Sequence, residues 1–207
     1  MAVLAYNAQG RLHNLQMKTL VLVPLAALFC GTGLAQSGPE QGATELQVWT
    51  AGGHSVAGGR GNTGIWDVGL RFGWVLTKPV GPGFLKGRFE YALDAVPAYL
   101  IFQPANTAYG VGLNPLNLKW NFAARSHLVP YAELSGGVLF TTHNVPSGTS
   151  TTNFTPSGAF GVQFPRQRCA WTLEGRYLHI SNAGLERLNP GINTFEVRLG
   201  IGKFKKK

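Results

Sequence analysis

His179 and Ser181 stand two residues apart and lead into a stretch rich in Gly, Pro and Asn, H-I-S-N-A-G-L-E-R-L-N-P-G-I-N over residues 179–193. On a β-strand, residues i and i+2 share a face and lie roughly 6.5–7 Å apart. An imidazole can lean along that gap and take the proton of a serine hydroxyl, provided a third group orients the ring from its far side. The same residues also suit a plain polar strand end. The elements that carry them decide between the two readings.

Those elements are strands, because the hydrophobic period is two along most of the chain. In I-W-D-V-G-L-R-F-G-W-V (residues 65–75), Trp66, Val68, Leu70, Phe72 and Trp74 fall on one face, and Asp67, Gly69, Arg71 and Gly73 on the other. Leu116, Leu118, Trp120 and Phe122 likewise oppose Asn117, Lys119 and Asn121, and Phe195, Val197, Leu199 and Ile201 oppose Glu196 and Arg198. With a first strand near Glu45–Gly53, eight strands are expected. Long connections are expected near 54–64, 96–108, 141–153 and 182–193, and short ones near 77–83, 123–128 and 165–168. Alternating long and tight connections between antiparallel strands predict an all-β fold, an eight-stranded up-and-down barrel of the outer-membrane type.

Composition agrees. Of 207 residues only 13% are charged, 11% are aromatic and 28 are glycine, and the mature chain has no run of eighteen apolar residues that would make a transmembrane helix. The polar faces hold six acids (Asp67, Glu90, Asp94, Glu133, Glu174, Glu196) and six bases (Arg71, Lys86, Arg88, Lys119, Arg176, Arg198), with Glu45 as a further acid. A near-balanced set fits a narrow lumen filled by paired side chains, since unpaired buried charge is costly. The aromatic-rich opposite faces suit a lipid-facing wall with interfacial belts. A soluble barrel binding a lipid inside would reverse the two faces.

Residues 17–35, M-K-T-L-V-L-V-P-L-A-A-L-F-C-G-T-G-L-A, have the charged start, short apolar run and small-residue end of a secretory signal. Residues 1–35 are therefore expected to be an N-terminal extension and signal peptide, with translation starting at Met1 or Met17, and residues 36–207 the barrel domain. The net charge of +9 lies mostly at turns and the tail, with no basic stripe bearing stacking aromatics, so it excludes nucleic acid as an expected partner. G-R-G-N-T-G (59–64) lies between strands with no helix following, which argues against a nucleotide site. His54, His127 and His143 have no metal-ligand spacing, so neither metal nor cofactor is expected.

One register sharpens the first question. Pairing Glu174 with Arg198 and Arg176 with Glu196 fixes a single antiparallel alignment. It places His179 opposite Asn193 and Ser181 opposite Gly191. His179 and Ser181 share the parity of Leu173 and Tyr177, hence the outer wall, where polar pairs are costly without a function. Asn193 then becomes the third member of a Ser-His-Asn set.

H-I-S-N-A-G-L-x-x-x-N-P-G-I-N resembles the motif of the lipid A 3-O-deacylase family of outer-membrane proteins, and G-V-G-L-N-P-L-N-L-K-W-N-F (110–122) resembles another strand of that family. The resemblance implies an eight-stranded outer-membrane barrel with its active site on the outside wall. It implies an esterase that removes the 3-position acyl chain of lipid A, the lipid anchor of lipopolysaccharide, with His179 as catalytic His and Ser181 as nucleophile. Members of the family carry Glu as third member where this chain has Asn193; outer-membrane phospholipase A, another barrel, uses Ser-His-Asn. Asn193→Glu is expected to keep or raise activity, and Glu186 is a candidate substitute acid. Oxyanion or substrate contacts are expected from the N–H groups of Asn182–Gly184 and from the side chains of Asn182 and Asn189, and phosphate contacts from Arg60 and Arg187. The alternative function is a non-catalytic structural or surface-binding barrel. The sequence leaves oligomeric state open.

Overall fold

The structure is a computed structural model that describes residues 39–123, 128–166 and 169–206. The expected signal segment, translation start and domain boundary at residue 35 lie outside the described residues. The described residues form nine strand segments: β1 (Ala43–Ser55), β2 (Gly64–Val75), β3 (Gly87–Phe102), β4 (Thr107–Phe122), β5 (Val129–Thr141), β6 (Thr152–Phe154), β7 (Ser157–Pro165), β8 (Ala170–Ile180) and β9 (Ile192–Lys206). β6 and β7 both pair with β5 and make one stave interrupted at Thr155–Pro156. Antiparallel neighbours run round the ring, with β9 on β1 and β4 on β5, so eight staves close a barrel, with no helix among the described residues beyond one short turn. Closure satisfies the backbone groups that an open edge would expose to lipid.

The faces separate as the period of two requires. Leu134, Phe160, Phe195 and Leu199 are exposed on the outer wall, with Phe160 at 75%, whereas the alternate positions are buried in the lumen. Phe72, Trp74 and Tyr91 form an edge-on and stacked aromatic group on that wall. Inside, Arg71 bonds Asp94 at 2.7 Å and Glu133 at 2.6 Å, and Arg176 bonds Glu133 at 2.7 Å and Glu174 at 2.8 Å. Lys119 sits between Glu45 (3.0 Å) and Glu90 (3.4 Å). The Arg198 guanidinium lies 3.7 Å from the Trp49 ring centroid. Apolar outside and ionic inside is the arrangement of a membrane barrel, not a soluble one.

Four details differ from expectation. β3 and β4 are each 16 residues long and are joined by residues 103–106 alone, so no long connection spans 96–108. Pro97 sits where the β3–β4 ladder skips between Val96 and Tyr99, and a bulge needs no N–H from it. The β2–β3 connection is longer than expected, covering 76–86 with a turn at Gly83–Leu85, and carries Lys86 into solvent. Arg88 is half-buried and makes no ion pair among the described residues, which leaves seven fully buried acids (Glu45, Asp67, Glu90, Asp94, Glu133, Glu174, Glu196) to four buried bases (Arg71, Lys119, Arg176, Arg198), not a balanced set. Finally, the β8–β9 register is as expected, with Glu174 opposite Arg198 and Arg176 opposite Glu196. Glu174 and Arg198 do meet, at 3.5 Å, but Arg176 turns across the lumen to Glu133, and Glu196 accepts from Thr194.

Candidate active site

β8 buries Glu174, Arg176, Leu178 and Ile180 in the lumen and turns Leu173 and Tyr177 outward. His179 follows the outward set and is half-buried near the long-loop end of the barrel. Asn193 on β9 lies directly opposite it. The His179 Nδ1–Asn193 Oδ1 distance is 2.6 Å. The other end of the amide decides the chemistry of this bond. Asn193 Nδ2 donates to the carbonyl of Ala57 at 3.3 Å, and a carbonyl can only accept. Oδ1 therefore faces the imidazole, and Nδ1 must carry the proton that it accepts. In the neutral tautomer that this bond selects, the lone pair lies on Nε2, as a general base requires.

Glycines make room for this pair. Gly191 has φ +64°, and a Cβ there would sit 2.7 Å from His179 Cε1, so the ring rests against bare backbone. Gly58, with φ +99°, would place a Cβ 2.8 Å from Asn193 Nδ2. The β1–β2 loop is tied down over the site through Val56 N–H to the Asn193 carbonyl (2.8 Å) and Arg60 N–H to the Gly191 carbonyl (2.9 Å). Sequence reasoning expected a connection at 54–64 but missed its contact with Asn193 and Gly191. Its only signal was the glycine-rich run around Ala57–Arg60, which reads as a turn until its partner is known.

Ser181 lies one residue beyond the β8–β9 ladder, which ends at Ile180–Ile192. It pairs not with Gly191 but with Phe154 on β6, through Phe154 N–H to the Ser181 carbonyl (2.7 Å) and Ser181 N–H to the Phe154 carbonyl (3.2 Å). The interruption after β6 allows this: the His179 N–H donates to Pro156 instead of to a regular ladder partner. Ser181 is 8% exposed, and among the described residues its hydroxyl makes no hydrogen bond. The His–Asn half of the set is thus assembled, and among the described residues no hydrogen bond joins His179 to the Ser181 hydroxyl. Such bonds commonly tighten only when substrate binds.

The loop after Ser181 is organised by Asn182, which is 1% exposed. Its Oδ1 accepts from Gly184 N–H (2.9 Å), its Nδ2 donates to the Leu188 carbonyl (2.9 Å), and its own N–H donates to Asn189 Oδ1 (3.0 Å). The N–H groups of Asn182 and Gly184 are therefore engaged within the loop. Among the described residues, the N–H of Ala183 and the Nδ2 of Asn189 remain without a protein partner. Ala183 has φ +52°, a left-handed conformation unusual for a residue with a side chain. Glu186 and Arg187 are exposed at the loop tip and form no ion pair among the described residues, and Asn193, not Glu186, reaches His179. Arg60 is exposed on the β1–β2 loop.

A sealed barrel with an apolar wall, an ionic lumen and an oriented His–Asn pair outside it is an outer-membrane-type barrel whose candidate chemistry faces lipid. The lipid A 3-O-deacylase (PagL) family model matches residues 66–202, and the chain belongs to that family. Among solved structures it is similar to the outer membrane enzyme PagL, at 21% identity and a TM-score of 0.59, over 74% of this chain and 97% of that one. It also resembles Neisserial surface protein A (NspA), at 14% identity and a TM-score of 0.47, over 78% of this chain and 95% of that one. No individually curated protein matches the chain.

Proposed function

We propose that this protein is an outer-membrane esterase that removes the 3-position acyl chain of lipid A, with Ser181 as nucleophile, His179 as general base and acid, and Asn193 as the group that orients the ring. The observation that carries the reading is the 2.6 Å His179–Asn193 bond on the outer wall, with its amide orientation fixed by Ala57. Membership of a deacylase family whose match includes all three residues supports the choice of substrate.

In the first step Ser181 Oγ attacks the ester carbonyl while its proton passes to His179 Nε2. The bond from the carbonyl carbon to the sugar oxygen then breaks, and Nε2 returns the proton to that oxygen. Water repeats the sequence on the acyl-enzyme, freeing the fatty acid and restoring the Ser181 hydroxyl. The developing oxyanion is assigned to the two uncommitted donors beside Ser181, the Ala183 N–H and the Asn189 side chain. Asn182 and Gly184 hold the loop that presents them. Arg187, with Arg60, is assigned to the anionic headgroup, a role their exposure supports. The imidazolium forms next to a neutral amide, so Asn193 orients the ring without offsetting its charge.

The test is release of 3-hydroxy fatty acid from purified lipid A, followed by mass spectrometry. Wild-type protein removes one 3-hydroxyacyl mass, and folded Ser181→Ala removes none. A second reading, a barrel that has lost catalysis, is favoured by the unmade Ser181–His179 bond and the absence of an acid at position 193. An unchanged lipid A profile with wild-type protein would establish it.

A further inference from the structure

The outer wall carries a groove of about 440 Å³ where the end of β3, the start of β4 and the end of β5 meet, away from His179. Leu100, Tyr109, Val111 and Phe140 line it, and Ala98 contributes only a methyl group where the β3–β4 ladder skips. Tyr109, Val111 and Phe140 are each more than half exposed. Thr141 and Thr142, at the end of β5, form its polar upper margin, and the Thr142 hydroxyl accepts from Tyr109 N–H. An apolar trough that ends in hydroxyls at headgroup level matches a lipid chain entering from the outer leaflet.

The groove is linked to Ser181 by continuous strand pairing. Val111 is opposite Phe140, Phe140 opposite Thr152, and two residues further along β6 Phe154 is bridged to Ser181. From β4 to Ser181 is three interstrand spacings, about 14 Å around the wall. A lipid with several acyl chains on one sugar headgroup hangs those chains side by side, so fixing one ester at Ser181 lays its neighbours along this wall.

We propose that the groove holds a second acyl chain of the same substrate molecule, so that a lipid A with many chains is read at two places on the barrel. The inference rests on the esterase reading for what occupies Ser181. Lipid tails are as apolar as the wall, so the groove acts by packing and orientation, not by transfer from water. Its effect on binding is accordingly modest and selective.

The experiment uses the Ser181→Ala protein in detergent, so that ligand is not turned over, and native mass spectrometry. The ligands are a six-chain disaccharide lipid A and a two-chain glucosamine phosphate. Ala98→Phe fills the groove. Affinity for the six-chain ligand is expected to fall about threefold or more, as loss of a packing contact in lipid would give, with the two-chain ligand unchanged. Phe140→Ala, which removes one wall, should show the same selectivity and serves if Ala98→Phe does not fold. Equal effects on both ligands, or none on either, overturns the proposal. So does loss of co-purifying phospholipid with lipid A affinity intact, which would assign the groove to bulk lipid. Continued hydrolysis by Ser181→Ala would instead sink the esterase reading and leave this binding comparison standing.

Discussion

Exchanging Asn193 for Asp or Ala separates orientation of His179 from stabilisation of its charge. Asn193 makes two side-chain bonds, one from His179 Nδ1–H at 2.6 Å and one to the Ala57 carbonyl at 3.3 Å. Asp has the same shape. It keeps an acceptor in front of Nδ1 and makes it anionic. A hydrogen bond to an ionised group is worth about 1 kcal/mol more than a neutral one, so the transition state, where the ring is charged, gains about fivefold in kcat. The same change turns the Nδ2 donor into an oxygen facing the Ala57 carbonyl at a site only 7% exposed, at a cost of about 1–3 kcal/mol in stability. Asn193→Asp should therefore be faster and less stable. Asn193→Ala leaves Nδ1–H without a partner and the ring free to turn, and a misplacement of about 1 Å costs about 10²-fold in rate. Glu is one methylene longer, with the imidazole in front and Gly58 behind, so in this chain Asn193→Glu should fall in rate. Sequence alone suggested the opposite. Fatty-acid release and the midpoint of urea unfolding in detergent give the two readouts. Ala matching wild type in rate, or Asp and Ala slowing together, would refute the orienting role.

Four further substitutions probe the frame around the site. Gly191→Ala should lose about 1–2 kcal/mol from its left-handed backbone and about 10²-fold in rate because the new Cβ meets His179, whereas Gly148→Ala, with φ +81° and nothing within 4 Å, should lose stability alone; equal rates for the two would show that the ring does not depend on Gly191. Arg71→Leu removes the guanidinium shared by Asp94 and Glu133 and should destabilise the barrel by about 3–5 kcal/mol by equilibrium unfolding in bilayers; an unchanged midpoint would contradict the ionic account of the lumen. Leu134→Arg, on a wall position 66% exposed, should cost about 2–4 kcal/mol in a bilayer if that wall faces hydrocarbon, whereas a water-facing wall would leave stability unaltered.

How much of this was legible depended on whether the signal was local. Alternation in W-D-V-G-L-R-F-G-W fixes the two faces within one strand, and it is faithful because each side chain answers to its own solvent. The β8–β9 register was legible from two charge pairs, and it brought His179 to Asn193, although the pairs themselves are only half realised. Arg176 chose Glu133, which comes from another strand across the lumen, and distance across a barrel leaves no mark on adjacent sequence. The same limit hid Ala57 and Gly58, whose role exists only because β1 and β9 are neighbours through ring closure. The long connection expected near 96–108 is instead strand because the bulge that accommodates Pro97, which lacks an N–H, belongs to the β3–β4 pairing and not to the local sequence. Ser181 was placed opposite Gly191 by extending a regular register one step past the point where β6 takes over.

The position of the candidate chemistry follows from what fills the barrel. Seven acids and four bases occupy the lumen together with Trp49 and Tyr131, and Arg71, Lys119 and Arg176 are each committed to at least two carboxylates. A lumen so packed cannot admit an acyl chain, and an unpaired polar group introduced there would carry its full desolvation cost. Outside, residues two apart on one strand share a face, and the period that builds the wall turns His179 outward with Leu173 and Tyr177. A third member from the same strand would lie still further along it, whereas a neighbour directly across the ladder is within hydrogen-bond reach of the ring. Asn193 has that position, and it is the loop between β1 and β2, closing over its amide, that settles which end of the side chain the ring receives.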